Sequence, residues 1–402
     1  MTAGTPPRPR APRNRGEPLL SELAGRAVLA VTVLAMLSAA CGAVALASST
    51  GTLSASSSED SDPGLVSGRT FQDPPDADLG QATAGKELTI TLDAADMRYE
   101  LGGGEWAWGQ AYDGSSVVPT LRFLPGAQLS VRLVNHLPVA TKVHFHGLHV
   151  AGRAGGEVLC VAPGESLTYR LAIPANHPQG TYWYHSHVLS TACPPPAGSG
   201  STSGAVSGVV SGSVSGAVSG RPSTPATPGR SSSGAVDNQV YAGLSGALIV
   251  GDDRASLPAA YRSVVTHTFI LQDTATARVD RPPAEDCLVN GQFRPVLAMR
   301  PNETQLWRLV NAGMAASYRL RMDGYRFTVV AEDGAPLVAV MTADTLLLPP
   351  GKRFDVLVTA NGHAGETWLR TTMGAEKQNT EVEVVRVAVG GRAVERLPAL
   401  GE

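Results

Sequence analysis

The chain has 402 residues, with 32 basic side chains against 35 acidic ones and a net charge of −3. That length allows roughly two to three domains, and the near-neutral balance gives no case for binding nucleic acid. Aromatic residues are few, glycine is plentiful, and the four cysteines form no Cys-x-x-Cys motif.

Residues 1–26 are polar, with Arg8, Arg10, Arg13, Arg15 and Arg26 against Glu17 and Glu22, and Ala27 to Ala47 then runs without a charge. A basic region followed by an apolar one is the pattern of an export signal, and Ala45-Leu46-Ala47 offers a small-x-small cleavage site. The run is also long enough to cross a bilayer, which takes roughly 20 residues, so a retained anchor is the rival reading. Lipid attachment at Cys41 is a weaker third, because Ser38 stands where a lipobox carries Leu. Each reading predicts an extracytoplasmic protein, secreted or anchored to the outer face of the cell membrane, with the Arg-rich end inside. Export permits disulfides. If Cys41 leaves with the signal, Cys160, Cys193 and Cys287 remain, and three cysteines cannot all pair.

Residues 48–85, rich in Ser, Asp, Gly and Pro, read as a disordered spacer. Strand patterns begin near Lys86. Leu88, Ile90 and Leu92 alternate with polar residues, as do Leu129, Val131 and Leu133, and then Leu167, Tyr169, Leu171 and Ile173. Pro125-Gly126 and Pro163-Gly164 mark turns between them. Short alternating strands at this spacing predict an antiparallel sandwich or barrel. A first domain spans 86–253, interrupted at 194–236, where Ser-Gly-Ala-Val and its variants follow one another from Ser203, a low-complexity insertion. Tyr241 to Val250 reads as the closing strand.

Two strand-like stretches in this domain hold the candidate chemistry. They are Val143-His144-Phe145-His146-Gly147 and Gly180-Thr181-Tyr182-Trp183-Tyr184-His185-Ser186-His187. Side chains two apart on a strand point to the same face, so His144 and His146 share a face, as do His185 and His187. A lone histidine is more often a core or surface residue than a ligand. Two His-x-His pairs holding four of the nine histidines instead point to a metal site, and imidazole suits copper, zinc, iron or nickel. His149 falls on the opposite face from His144 and His146, and His177, before a proline, reads as a solvated loop residue.

A second domain, 260–392, repeats the first. Leu121 to Asn135 reads LRFLPGAQLSVRLVN and Leu297 to Asn311 reads LAMRPNETQLWRLVN. Pro163-Gly164 is echoed by Pro350-Gly351, and Gly180 to Trp183 by Gly365 to Trp368. Self-similarity over this length predicts two copies of one fold. Carried across without gaps, the register puts Leu320 and Met322 at the places of His144 and His146, and Arg370 and Thr372 at those of His185 and His187. The second copy thus keeps the strands and drops the ligands.

His-x-His-Gly followed by Gly-Thr-Tyr-Trp-Tyr-His-Ser-His resembles the first two copper motifs of the multicopper oxidases, laccase-like enzymes. Gly246 to Val250, Leu288-Val289-Asn290-Gly291, Ala331-Glu332-Asp333-Gly334 and Pro349 to Asp355 agree with that family as well. The resemblance implies an all-β chain of two tandem cupredoxin-type Greek-key sandwiches. It gives His144 to a type 2 copper and His146, His185 and His187 to type 3 coppers. In the family a three-copper cluster reduces dioxygen to water with electrons taken from a reducing small molecule or metal ion at a separate type 1 copper.

The sequence departs from that pattern in one large respect. After His187 only His267 and His363 remain, each alone, and no His-Cys-His occurs. Ser186 stands where copper nitrite reductases carry a type 1 cysteine, and Cys160 and Cys193 match no type 1 spacing. The expectation is half a trinuclear cluster and no type 1 site, with 393–402 a link to a missing third domain. A partner chain, or a second copy in a homo-oligomer, could supply the missing histidines. The alternative is a non-catalytic exported cupredoxin-like protein that binds copper or serves a structural role. A zinc hydrolase is disfavoured, because no carboxylate sits at a motif spacing to act as base. The substrate is left open among phenols, cuprous ion and manganese.

Overall fold

The computed structural model describes residues 69–78, 87–102, 105–115, 117–150, 160–187, 239–278, 284–314, 316–373 and 380–400, all within one unit. The expected signal or anchor at 1–47, most of the expected spacer and the insertion 194–236 lie outside the described residues. No described helix is long and apolar enough to cross a membrane.

The first half forms β1 (Asp76–Asp78), β2 (Glu87–Gly102), β3 (Glu105–Tyr112), β4 (Thr120–Phe123), β5 (Gln128–Asn135), β6 (Val143–His146), β7 (Ser166–Ala172), β8 (Gly180–Ser186) and β9 (Ser245–Val250). The second forms β10 (Val265–Arg278), β11 (Ala284–Val289), β12 (Val296–Met299), β13 (Thr304–Asn311), β14 (Tyr318–Met322), β15 (Phe327–Glu332), β16 (Ala335–Ala343), β17 (Thr345–Leu348), β18 (Arg353–Thr359), β19 (Gly365–Met373) and β20 (Thr380–Val389).

These strands make two β-sandwiches. In the first, the sheet β1-β4-β9-β8-β6 packs on β2, β3, β5 and β7; in the second, β12-β20-β19-β14-β17 packs on β10, β13, β18, β15 and β16. The alternating apolar residues of each strand are what fill the space between layers. Leu129, Val131 and Leu133 of β5 are buried against Phe145 of β6 and Leu248 of β9. Full burial of a side chain of this size is worth about 1.5–3 kcal/mol, so these rows define the fold without help from the histidines. Pairing of β10 with β3, through Ala277–Trp108 and Arg278–Ala107, joins the two back layers into one sheet.

The repeat is visible in the pairing. β4 runs parallel to β9 as β12 does to β20, and β5 parallel to β2 as β13 does to β10. The asparagine that ends each RLVN echo has the same task in both copies. Asn135 donates to the carbonyls of Val139 and Val161 and accepts from Leu137 N–H; Asn311 donates to Ala316 and Leu348 and accepts from Gly313 N–H.

Two sequence expectations need correction. The gapless register slips by one residue between β13 and β14. His144 pairs with His185 on β8, and the matching pair on β14 and β19 is Arg321 with Arg370. The places of His144 and His146 are therefore taken by Arg321 and Asp323. Leu320 and Met322 are buried core residues, as Val143 and Phe145 are. A one-residue slip turns every side chain to the other face, and burial settles which face is which. The second correction concerns residues 69–78, inside the expected spacer. Phe71 is buried in the second core and its N–H donates to Val296 O, while β1 pairs with β4 of the first sandwich. Hydrogen bonds of Gln72 with Gln292 and Asn290, and of Asp73 with Thr268 and His267, add to that hold and bind this polar stretch across both copies.

Candidate metal centre

The two histidine-bearing strands, β6 and β8, are antiparallel neighbours, and their register does the gathering. His144 lies opposite His185 and His146 opposite Trp183. Ring centroids are 5.3 Å apart for His144 and His185, 5.7 Å for His144 and His146, and 5.8 Å for His146 and His185. His187, just past the end of β8, stands 5.1 Å from His144 and 5.6 Å from His185. Each of His144, His146 and His185 offers a ring nitrogen within 4.8 Å of the others'. His185 is buried and the other three are half-buried.

The protonation states suit ligation. His185 Nδ1–H donates to Ser186 O at 2.7 Å, which leaves Nε2 with its lone pair. That Nε2 and His187 Nδ1 are buried and have no hydrogen-bond partner among the described residues. Burial pushes His185 down to about 3, against the pull of the Ser186 carbonyl. Burial, and then the charge of Arg353, pushes His146 down to about 4. Both rings are neutral at neutral pH, the form that binds a metal. Buried nitrogens without donors are costly unless something occupies them, and an all-imidazole set fits copper.

The second sandwich forms the wall behind these histidines. Trp183 is stacked on His185, with centroids 4.1 Å apart, lies 4.9 Å from His146, and packs with Ile270, Val310 and Ala312 of the second copy. Gly351, at φ +80°, approaches so closely that a Cβ there would lie 3.0 Å from His146 Cε1. Arg353 donates to the carbonyls of Thr181, Gly351 and Asp333. Deeper in the junction, Arg308 is fully buried and donates to Asp253, Asp355 and Thr181 Oγ1. Burial raises the carboxyl of Asp355, and the neighbouring Asp253 adds to the effect. Burial also opposes ionisation of Asp253, but the bidentate Arg308 overcomes it and holds that carboxylate low.

A family profile described as multicopper oxidase matches residues 94–200, and another of the same description matches 262–389, so both sandwiches are covered. The chain belongs to the multicopper oxidase family. Among curated relatives, it is 25% identical over 267 residues to the multicopper oxidase mco of Staphylococcus haemolyticus, covering 63% of this chain and 49% of that one. It is 24% identical over 317 residues to the multicopper oxidase MmcO of Mycobacterium tuberculosis, covering 71% and 54%. It is also 27% identical over 298 residues to the cell division protein FtsP of Xenorhabdus nematophila, covering 70% and 52%. The chain thus spans about half the length of these relatives. Among solved structures, a multicopper oxidase from Campylobacter jejuni, described as a metallo-oxidase, aligns with TM-score 0.59 at 21% identity, over 83% of this chain and 64% of that one. McoA from Aquifex aeolicus aligns with TM-score 0.59 at 19% identity, over 84% and 69%. The structural likenesses establish the fold, and the family is one of copper proteins.

The remaining histidines of this multicopper oxidase chain lie apart from the four. His149 is exposed, with its ring 5.1 Å from that of His177. His177 is not solvated, as the sequence suggested, but 4% exposed. Its Nδ1–H donates to Pro178 O, and its Nε2 accepts from His149 N–H, which lets a polar ring sit beside Tyr182. His136 pairs with Asp93 and His267 with Asp73. Cys160 is disulfide-bonded and Cys287 is buried in the second core, so among the described residues no thiolate accompanies the histidines.

Sequence reasoning missed three residues at the site. Trp183 was legible, since it stands two before His185 and shares its face. Gly351 stands in the sequence as an echo of Gly164 and within the family-like stretch Pro349 to Asp355; nothing local shows that it abuts His146. Gln239, which binds Thr141 and Ser186, carries no motif.

Proposed function

We propose that this chain is a copper-binding oxidoreductase of multicopper oxidase type. His144, His146, His185 and His187 would hold copper as one half of a trinuclear cluster, His144 toward a type 2 ion and the other three toward type 3 ions. The observation that carries this reading is the convergence of His144, His146 and His185, with the buried His185 Nε2 and His187 Nδ1 lacking a hydrogen-bond partner among the described residues. Bound copper would supply the redox chemistry, substrate oxidation coupled to dioxygen reduction. The chain's own part is to keep the His146 and His185 rings neutral, to fix the spacing of the histidines on β6 and β8, and to shield them behind Trp183 and Gly351. The type 1 electron entry and the rest of the cluster would come from sequence outside these residues, a partner chain or a second copy. The disulfide at Cys160 supports an oxidising, extracytoplasmic setting.

A second reading has its own support. The likeness to a cell division protein favours a non-catalytic copper-binding or structural protein. Loading the full chain with cupric ion separates the copper-binding readings from the structural one. On the first reading it binds copper without an intense blue thiolate-to-copper band, and His144→Ala or His185→Ala lowers the copper stoichiometry while the β-sheet circular dichroism is kept. A wild-type chain that binds no copper under oxidising conditions would sink the copper reading and leave the structural one.

A further inference from the structure

We infer that Gln239 is a positioning residue of the metal centre, fixing the His185 ring through Ser186 and tying the two ligand strands together. The role at a copper site rests on the reading proposed above; the effect on the His185 ring does not. Gln239 is 2% exposed. Its Oε1 accepts from Thr141 Oγ1 at 2.8 Å and from Ser186 Oγ, and its Nε2 donates to Ala140 O at 2.9 Å. Ala140 and Thr141 lead into β6, and Ser186 ends β8, so one amide spans both ligand strands.

Ser186 is held a second time through the backbone. Its N–H donates to Leu244 O, and Leu244 N–H donates to Gln239 O, each at 3.0 Å. The carbonyl of this doubly held residue is what accepts the proton of His185 Nδ1. Gln239 therefore sets Ser186, and Ser186 sets the tautomer and plane of a ring whose Nε2 faces the other histidines. Outer groups of this kind tune metal affinity by orienting the ligand.

The chemistry selects an amide. Two hydroxyl donors need one acceptor and a carbonyl needs a donor, which glutamine provides in one planar group. Glutamate would set an oxygen against Ala140 O, and leucine would leave buried polar groups unmatched.

The test uses the full chain with cupric ion in competition with a chelator, electron paramagnetic resonance of the bound copper, and 15N-histidine NMR of the metal-free protein. In the wild type, His185 is expected as the Nδ1–H tautomer. Gln239→Leu should weaken copper binding about tenfold or more, change the copper hyperfine pattern, and mix the tautomers of His185. Ser186→Ala should shift the same readouts less, and Ser186→Thr, which keeps the hydroxyl, should restore them. If Gln239→Leu lowers only the unfolding temperature and leaves tautomer and copper spectrum as in the wild type, Gln239 is a scaffold residue and the inference is wrong. A wild type that binds no copper defeats the copper reading alone, because the tautomer comparison still decides the role of Gln239. Should Gln239→Leu fail to fold, Ser186→Ala against Ser186→Thr carries the same decision.

Discussion

In the first sandwich Arg132 is exposed beside Ser166. At the same offset in the second, Arg308 is fully buried between Asp253, Asp355 and Thr181. The other echoes divide in the same way. The turn at Gly164 and the turn at Gly351 have equal backbone form, each N–H donating to the asparagine that ends the preceding strand echo, yet a Cβ at Gly164 meets nothing and one at Gly351 meets His146. Trp183 stacks on His185 inside the junction, whereas Trp368 lies under Arg386. Where the first copy gathers imidazoles, the second has ion pairs, with Asp323 accepting from Arg321 and Arg370 and Arg321 reaching Glu381. The difference teaches a division of labour: one copy carries the candidate ligands and the other the wall they lean on. A duplicated strand pair can lose its ligands without losing its fold, because the buried rows and not the exposed face hold it together.

The comparison is most easily broken at the junction. Arg308→Ala leaves the Asp253 carboxylate buried without its cation and facing the Asp355 carboxyl, and removing one partner of a buried ion pair costs about 3–5 kcal/mol. Urea unfolding should show a loss of that order, with copper lost only as the protein unfolds. An unchanged midpoint would mean that the wall is not held by Arg308.

A smaller effect should follow from pH. His146 and His185 have folded-state values depressed to about 4 and about 3, against an unfolded value of about 6.5. Below pH 6.5 the unfolded chain takes up protons that the folded chain refuses, so stability falls as pH falls toward 4. His185 alone should cost the metal-free protein about 2.5 kcal/mol between pH 7 and pH 4.5, and the half-buried His146 adds less than its shift implies because solvent screens it. His185→Gln should flatten that slope; an equal slope in the variant would show that the ring is not the titrating group.

The smallest effect belongs to the second copy's counterpart of the site. Asp323→Ala removes exposed ion pairs that solvent screens, so the unfolding midpoint should barely move and copper binding should not change. Loss of copper in this variant would bring the outer face of the second sandwich into the site and end the division of labour drawn here.

The sequence by itself determined more than the fold class. Period-two rows such as Leu129, Val131 and Leu133 mark strands because only alternation buries one face, and the RLVN and Pro-Gly echoes reveal two copies. The His-x-His pairs name the candidate ligands, since residues two apart on a strand must share a face. Where the sequence failed, it failed by one residue or at long range. The slip that hid Arg321 and Asp323 behind Leu320 and Met322 comes from an added residue in a loop, which shifts the face without altering the pattern of either strand. Phe71 was lost in a polar stretch because one aromatic makes no period.

The tertiary structure alone decided how the pieces meet. The pairing of β6 with β8 brings four histidines from separate stretches into one patch, and the pairing of β10 with β3 turns the second copy into a wall. Which Arg of the two echoes is buried, which Pro-Gly turn presses on His146, and why Gln239 reaches Ser186 are facts of packing between residues far apart in the chain. Local sequence encodes what a segment can form; contact across the junction decides which copy of each motif becomes part of the site.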